Sequence, residues 1–350
     1  MTTLRLEPES PAPSRPEPRI RAVYRDGAGQ IHVDWPADQI ADAVADRDGI
    51  LWVDIEDHET HANEGVEALL RDVFGFHPLA IEDALKESHV PRVDDWGHYL
   101  YIVFHSIDFD PKTDDLRLHE LDLFLGSNYL VSYHNTPLGL IDQHRRNIER
   151  DPVNRLRHGA DPVLYHLLDT CVAEYLPAIE HLDEAIDDAQ DEVFHVPTPR
   201  TLHAIFRIKR SALRLNRVLS PLREVLNRLA RDEYDPIRPE SRVYFRDVYD
   251  HLVRIHDITE SLRDLISGAL DTYLSAIANR TNEIMKTLTL VSVMFLPMSF
   301  VVGFFGMNFF GDDLAFHLRL PKLLLFVSTC LMMIGMPWVM WVWARRRGWF

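Results

Sequence analysis

The residues best suited to chemistry in this chain are oxygen donors at the end of a long apolar segment. Asn308 follows Gly306 and Met307, and Asp312 and Asp313 come shortly after it. A ring of amide oxygens could accept hydrogen bonds from the water shell of a cation and still release the ion. Oxygen-only ligands suit Mg²⁺, which gives up its water reluctantly. As bare residues the tripeptide is more typical of an ordinary helix end with a glycine, so its meaning depends on the residues and elements around it.

A stripe of small, polar and apolar residues precedes the tripeptide at helical spacing. Steps of seven back from Ser299, and the positions between them, give one helix face: Asp271, Ala278, Asn282, Met285, Thr289, Ser292, Leu296, Ser299 and Gly303. Two interpretations are open. The small residues could let helices pack closely, or the face could line a water-filled path. Two helices cannot enclose a pore, so the second interpretation requires an oligomer.

Composition excludes several other kinds of chemistry. The chain has 37 Lys and Arg against 54 Asp and Glu, and the resulting charge of -17 argues against nucleic acid as a partner. Its two cysteines, Cys171 and Cys330, are too few for a disulfide scaffold or a thiolate zinc site. Phosphate-loop, dinucleotide-binding and HExxH patterns are absent, and DFDPKTDD (108–115) is typical of a polar hairpin turn. We therefore expect no enzyme.

Two apolar runs predict transmembrane helices. No charged residue occurs from 287 to 311 or from 323 to 344, and a bilayer core takes about 20 helical residues. We predict a first span at 287–307, an external loop at 308–322, a second span at 323–344 and a basic end at 345–350. Positive charge flanks the spans on one side, so a multi-pass protein with both termini in the cytoplasm is expected.

The residues before the first span divide into a short tail and two longer segments with different sequence patterns. Residues 1–19 are rich in proline and predict a disordered tail. Residues 20–136 alternate strand-like and helix-like runs, which predicts a cytoplasmic α/β domain. Residues 137–286 predict a helical domain and a stalk helix. That helix has no proline between Glu240 and Pro297, so some 65 residues should run from the cytoplasm into the bilayer. The acidic run between 180 and 192 predicts a solvated helix face, or one that also concentrates cations.

These residues together give the chain a resemblance to the CorA-type divalent-metal transporters. The resemblance covers residues 20–350 and depends on Gly306-Met307-Asn308 after a first span and on the second span with its basic end. It also depends on four longer stretches: HPLAIEDALKESHVPRVDDWGHYLYIVF (77–104), PLREVLNRLARD (221–232), YFRDVYDH (244–251) and LRDLISGALDTYLSAIANRTNEIMKTLT (262–289).

The resemblance implies an α+β membrane protein that assembles as a funnel-shaped homopentamer in the cell (inner) membrane. The first transmembrane helix would line the pore and the second would surround it. The implied activity is passive, potential-driven uptake of Mg²⁺, with Co²⁺ and Ni²⁺ as further candidate ions. Mg²⁺ would be both the transported and the regulatory ion, because intracellular Mg²⁺ bound between subunits favours the closed state in this family.

The resemblance also assigns roles to single residues. Gly306, Met307 and Asn308 match the entrance filter, and Met285, Leu288 and Leu296 match the hydrophobic constriction. The other pore-facing positions are Asp271, Asn282, Ser292, Ser299 and Gly303. Asp83 and Asp247 match the carboxylates that bind regulatory metal. After the filter this chain has Phe309-Phe310-Gly311-Asp312-Asp313, where many relatives have a Met-Pro-Glu-Leu-like loop, so the external loop with its acidic Asp312 and Asp313 departs from the family pattern.

Three alternatives differ from Mg²⁺ uptake. The zinc-transporting branch of the same superfamily shares the architecture, so a zinc transporter is the first. A membrane-anchored binding or signalling protein without transport is the second, and it predicts tolerance of Asn308→Ala. A membrane enzyme is the third, and no catalytic constellation in the sequence favours it.

Overall fold

Seven strands form one mixed sheet in the computed structural model, which describes residues 18–58, 64–86, 90–306 and 322–347. The strands are β1 Arg19–Arg25, β2 Ile31–Val33, β3 Ile50–Glu56, β4 Arg92–Asp95, β5 Tyr99–Asp110, β6 Asp115–Gly126 and β7 Tyr129–His134. Their order is β2-β1-β3-β7-β6-β5-β4, and only β3 and β7 pair in parallel. The sheet confirms the predicted α/β fold, and the polar run 108–115 contains the predicted turn between β5 and β6.

Short helices cover one face of the sheet. They are α1 Ile40–Ala45, α2 Glu64–Ala68, which continues as a π-helical segment Leu69–Val73, and α3 Pro78–Lys86. Their apolar side chains and one side of strands β1, β3, β5, β6 and β7 share a single core that includes Leu51, Val53 and Phe124. Because side chains alternate along a strand, the neighbouring residue Trp52 faces the opposite side, where its ring lies 5.1 Å from that of His144. The sheet is therefore buried on both faces.

Helices make up the rest of the first of two compact units, which ends at Leu270. They are α4 Gly139–Arg150, α5 Pro152–Arg155, α6 Asp161–Ala173, α7 Tyr175–His195 and α8 Pro199–Arg231. The first turn of α8 is closed by a capping box, in which the Thr198 side chain accepts a hydrogen bond from the Thr201 backbone amide at 3.2 Å. The long helix α9 begins in this unit.

Helix α9 runs from Arg242 to Gly306 without a break, as the sequence predicts. Its 65 residues rise by 1.5 Å each, which gives a length of about 100 Å. A short 3₁₀ turn at Pro239–Ser241 precedes it, and Pro297 is accommodated inside it. A second helix, α10, spans Lys322–Arg346. The second unit, from Asp271 onward, thus contains the later part of α9 and all of α10.

Candidate ion pathway and regulatory carboxylates

The later part of α9 and helix α10 are long and apolar enough to cross a membrane. Almost none of the side chains in these segments is buried within the chain, and Leu296, Phe300 and Ile334 are 70% exposed or more. Apolar surface of this extent requires lipid or other protein to cover it. These helices therefore fit the two predicted spans by length and composition.

The predicted pore residues all lie on α9 and are exposed in the single chain: Asp271, Asn282, Met285, Leu288, Ser292, Leu296, Ser299 and Gly303. Their spacing keeps them on one side of the helix. The Thr289 hydroxyl donates to the Met285 carbonyl at 2.7 Å, a local bond that satisfies its polarity within the helix. In the described ranges no such bond involves the Ser292 or Ser299 side chain, so both hydroxyls are available to water or to a neighbouring helix.

The predicted filter reaches the limit of the described residues. Gly306 is the last residue of α9. Met307, Asn308, Asp312 and Asp313 lie outside the described residues. The assignment of Asn308 as an ion-recognition residue therefore stays a prediction.

Asp83, the first predicted regulatory carboxylate, lies on α3 and is half exposed. Its Oδ2 atom accepts a hydrogen bond from Nη2 of Arg92 at 2.7 Å. Nε of Arg92 donates to Asp94 at 2.9 Å, and its guanidinium carbon lies 5.5 Å from the centre of the Tyr101 ring. One cationic side chain therefore links Asp83 to the edge strand β4. Sequence reasoning did not identify Arg92, because its relevance depends on this contact.

Asp247, the second predicted regulatory carboxylate, is exposed on α9 and interacts electrostatically with Asp169 of α6. Burial raises the pKa of Asp169, His251 opposes this shift, and the negative charge of Asp247 adds to it. Nδ1 of His251 lies 3.9 Å from Asp169 Oδ1. Two carboxylates that repel each other are a favourable place for a cation. Asp169 was missed in the sequence, where 77 residues separate it from Asp247.

Asp83 and Asp247 belong to no metal-binding cluster in the described residues of one chain. No group of three or more His, Cys, Asp or Glu residues is placed there to hold a metal. Each carboxylate is exposed, and Asp83 already accepts a hydrogen bond from Arg92.

Comparison with known proteins identifies the family. Residues 47–346 match the family described as CorA-like Mg²⁺ transporter protein. The cobalt/magnesium transport protein CorA of Thermotoga maritima is 37% identical over 238 residues, which are 68% of either chain. The zinc transport protein ZntB of Cronobacter sakazakii is 26% identical over 88% of this chain and 90% of its own length.

Structural comparison agrees on the fold. The complete structure of the CorA magnesium transporter from Methanocaldococcus jannaschii has a TM-score of 0.77 and covers 94% of this chain and 98% of its own. Its sequence identity is 21%, so this likeness supports the fold: the mixed sheet, the long helix and the two C-terminal helices. The match over residues 47–346 and the identity to the Thermotoga protein show more, namely that this chain belongs to the CorA-like Mg²⁺ transporter family of divalent cation transporters.

Proposed function

We propose that this chain forms a homopentameric channel for passive Mg²⁺ uptake, with α9 lining the pore and both termini in the cytoplasm. The observation that carries the proposal is the exposed stripe of predicted pore residues along α9. The helix itself ends at Gly306, immediately before Met307 and Asn308 in the sequence. A single chain leaves this stripe uncovered, and a ring of copies would bring the stripes together around a common axis. Met285, Leu288 and Leu296 would then form an apolar constriction that gates by excluding water.

The membrane potential is a sufficient driving force for this activity. A potential of 100 mV contributes about 2.3 kcal/mol per charge, or about 4.6 kcal/mol for a divalent cation. At about 1.4 kcal/mol per tenfold, this supports roughly a thousandfold inward accumulation. Passive uptake therefore needs no nucleotide site, and control has to come from opening and closing the pore.

Gating by intracellular Mg²⁺ is the second element of the proposal. Asp83 and Asp247 would bind the ion between neighbouring subunits, and Asp169 would add a third oxygen donor near Asp247. Bound cations would neutralise these carboxylates and hold the cytoplasmic domains together. Loss of the cation would leave like charges facing each other, and the closed state would become less stable.

Ion uptake into proteoliposomes tests the transport proposal. We expect Mg²⁺ flux in the wild type and a fall of about tenfold or more in Asn308→Ala, since the loss of one good hydrogen bond to a charged group corresponds to at least about 1.5 kcal/mol. Asn154→Ala, which changes an exposed amide in the cytoplasmic helix α5, is the matched control and should keep wild-type flux.

The same measurement separates the alternatives. The likeness to a zinc transport protein makes Zn²⁺ the second candidate ion. Zn²⁺ flux with little Mg²⁺ flux would replace the Mg²⁺ proposal with zinc transport. If a folded, pentameric preparation carried neither ion, the chain would be a membrane-anchored binding protein and the transport proposal would be wrong.

A further inference from the structure

The guanidinium of Arg92 occupies a position between two carboxylates that a metal ion would also seek. Nη2 donates to Asp83 Oδ2 at 2.7 Å and Nε donates to Asp94 Oδ2 at 2.9 Å. Below it, the Tyr101 ring lies 5.5 Å away, and the Tyr101 hydroxyl is fixed by a 2.6 Å bond to buried Asp122. The Arg92 side chain is 30% exposed, whereas Asp83 and Asp94 are 50% and 43% exposed. The Arg92 side chain is thus the better anchored partner, and Asp83 is the partner more accessible to solvent.

We propose that Arg92 is a built-in competitor for regulatory Mg²⁺ at Asp83 and so sets the Mg²⁺ concentration at which the channel closes. An arginine is protonated at every physiological pH, so this competitor is always present. When a divalent cation binds Asp83, Arg92 gives up one hydrogen bond and keeps Asp94 and Tyr101. When the cation leaves, the guanidinium donates to Asp83 again, and the bridge that the cation formed between subunits is lost. This inference rests on the proposed role of Asp83.

The dependence on Mg²⁺ distinguishes this role from that of an ordinary surface ion pair. The contact between Arg92 and Asp83 links β4 to α3, and Asp94 is a second partner of Arg92 on β4 itself. Nη2 of the Arg92 guanidinium donates to Asp83 on α3, which is the residue predicted to bind metal. If Arg92 were only a structural link, its removal would change the unfolding temperature equally with and without Mg²⁺. If Arg92 is a competitor, its removal changes the Mg²⁺ concentration at which uptake is inhibited and the unfolding temperature rises.

The test uses the full-length chain and measures the Mg²⁺ midpoint of two effects, inhibition of uptake and the rise in unfolding temperature. We expect Arg92→Gln to lower both midpoints about two- to fivefold, the range that a partly exposed ion pair can supply. Arg71→Gln is the matched control, because Arg71 also bridges two exposed carboxylates, Glu67 at 3.1 Å and Asp72 at 3.0 Å. It should leave both midpoints unchanged.

Asp83→Asn separates failure of this inference from failure of the proposed function. If Asp83→Asn raises the midpoint and Arg92→Gln lowers it only when Asp83 is intact, both ideas hold. If Asp83→Asn raises the midpoint but Arg92→Gln leaves it unchanged or raises it, competition is wrong and the regulatory site stands. If Asp83→Asn changes nothing, both are wrong.

Should Arg92→Gln fail to fold, Arg92→Lys replaces it. We expect a smaller shift in the same direction, because lysine keeps the positive charge but cannot donate to Asp83 and Asp94 with the planar geometry of a guanidinium.

Discussion

At the scale of residues, the carboxylates of the cytoplasmic domain differ in how completely their charge is compensated. Asp54 is buried on β3, yet it accepts hydrogen bonds from Arg21 at 2.7 Å, Ser132 at 2.7 Å and His134 at 3.2 Å. Burial acts to raise the pKa of Asp54, but these partners outweigh it and the pKa is lowered. A buried charge with such a full set of partners is part of the fold.

Glu174, between α6 and α7, is in the opposite situation. Burial is the main cause and the negative charge of Asp108 adds to it, which raises the pKa of Glu174 from 4.5 to about 7. A raised pKa means that the protonated form is favoured by folding. Its contribution to stability is fully present below pH 4.5 and is lost as the pH rises through 7.

Glu174→Gln should therefore remove a pH-dependent loss of stability. We expect the variant to be more stable than the wild type by about 1–2 kcal/mol at pH 8 and nearly equal to it at pH 4.5, after allowance for partial solvent screening. Thermal unfolding of the detergent-solubilised chain across this pH range measures the difference. Glu180→Gln, an exposed change on α7, should show no such trend. A difference between Glu174→Gln and wild type that did not vary with pH would contradict the argument.

At the scale of elements, two glycines of very different surroundings test the packing of the sheet and of the long helix. A Cβ atom at Gly126, the last residue of β6, would lie 2.3 Å from an atom of the Tyr129 ring. The centre of that ring is 5.1 Å from the centre of the Phe74 ring, against which it packs. A Cβ atom at Gly268 in α9 would meet nothing within 4 Å.

Gly126→Ala should destabilise the chain by about 1–3 kcal/mol, because a packed ring has to move. Gly268→Ala should stabilise it by up to about 1 kcal/mol, because alanine favours a helix interior. Thermal unfolding under identical conditions compares the two variants. A loss of stability in Gly268→Ala would indicate that this side of α9 is closely covered in the assembly, and an unchanged Gly126→Ala would show that the Tyr129 ring is free to move.

The long elements were predictable from the sequence, and the short polar ones were not. The uninterrupted pattern from Glu240 to Pro297 predicted α9, because little but a helix can bury one stripe over that length. Strand β4 was missed, since Arg92, Asp94 and Asp95 carry no apolar alternation. It is a strand because its backbone pairs with β5, with Arg92 opposite Val103. The contact between Arg92 and Asp83 depends on that pairing and could not be inferred from their nine-residue separation.

At the scale of the whole molecule, the proposal that Asp83 and Asp247 bind regulatory metal depended on resemblance, and the structure of one chain explains why. Asp83 and Asp247 lie on α3 and α9, and neither spacing nor periodicity relates residues on separate elements. Asp169 and His251 near Asp247 are equally remote in sequence. The composition did indicate a surplus of negative charge, -17 per chain. An assembly of several copies would bring these negative charges close together.

That surplus leads to a prediction for gating by the assembled molecule. If Mg²⁺ between subunits holds like charges together, Asp247→Ala should raise the Mg²⁺ concentration for half-inhibition of uptake by about tenfold or more, the effect of losing one charge-assisted contact. Asp264→Ala is the matched control, because Asp264 is also on α9 and its side chain is 81% exposed. It should leave inhibition unchanged. Uptake by Asp247→Ala at low Mg²⁺ should match the wild type, since the residues proposed to line the pore are unchanged. Unchanged inhibition in Asp247→Ala would refute the regulatory assignment and leave the transport proposal standing, because the two depend on different parts of α9.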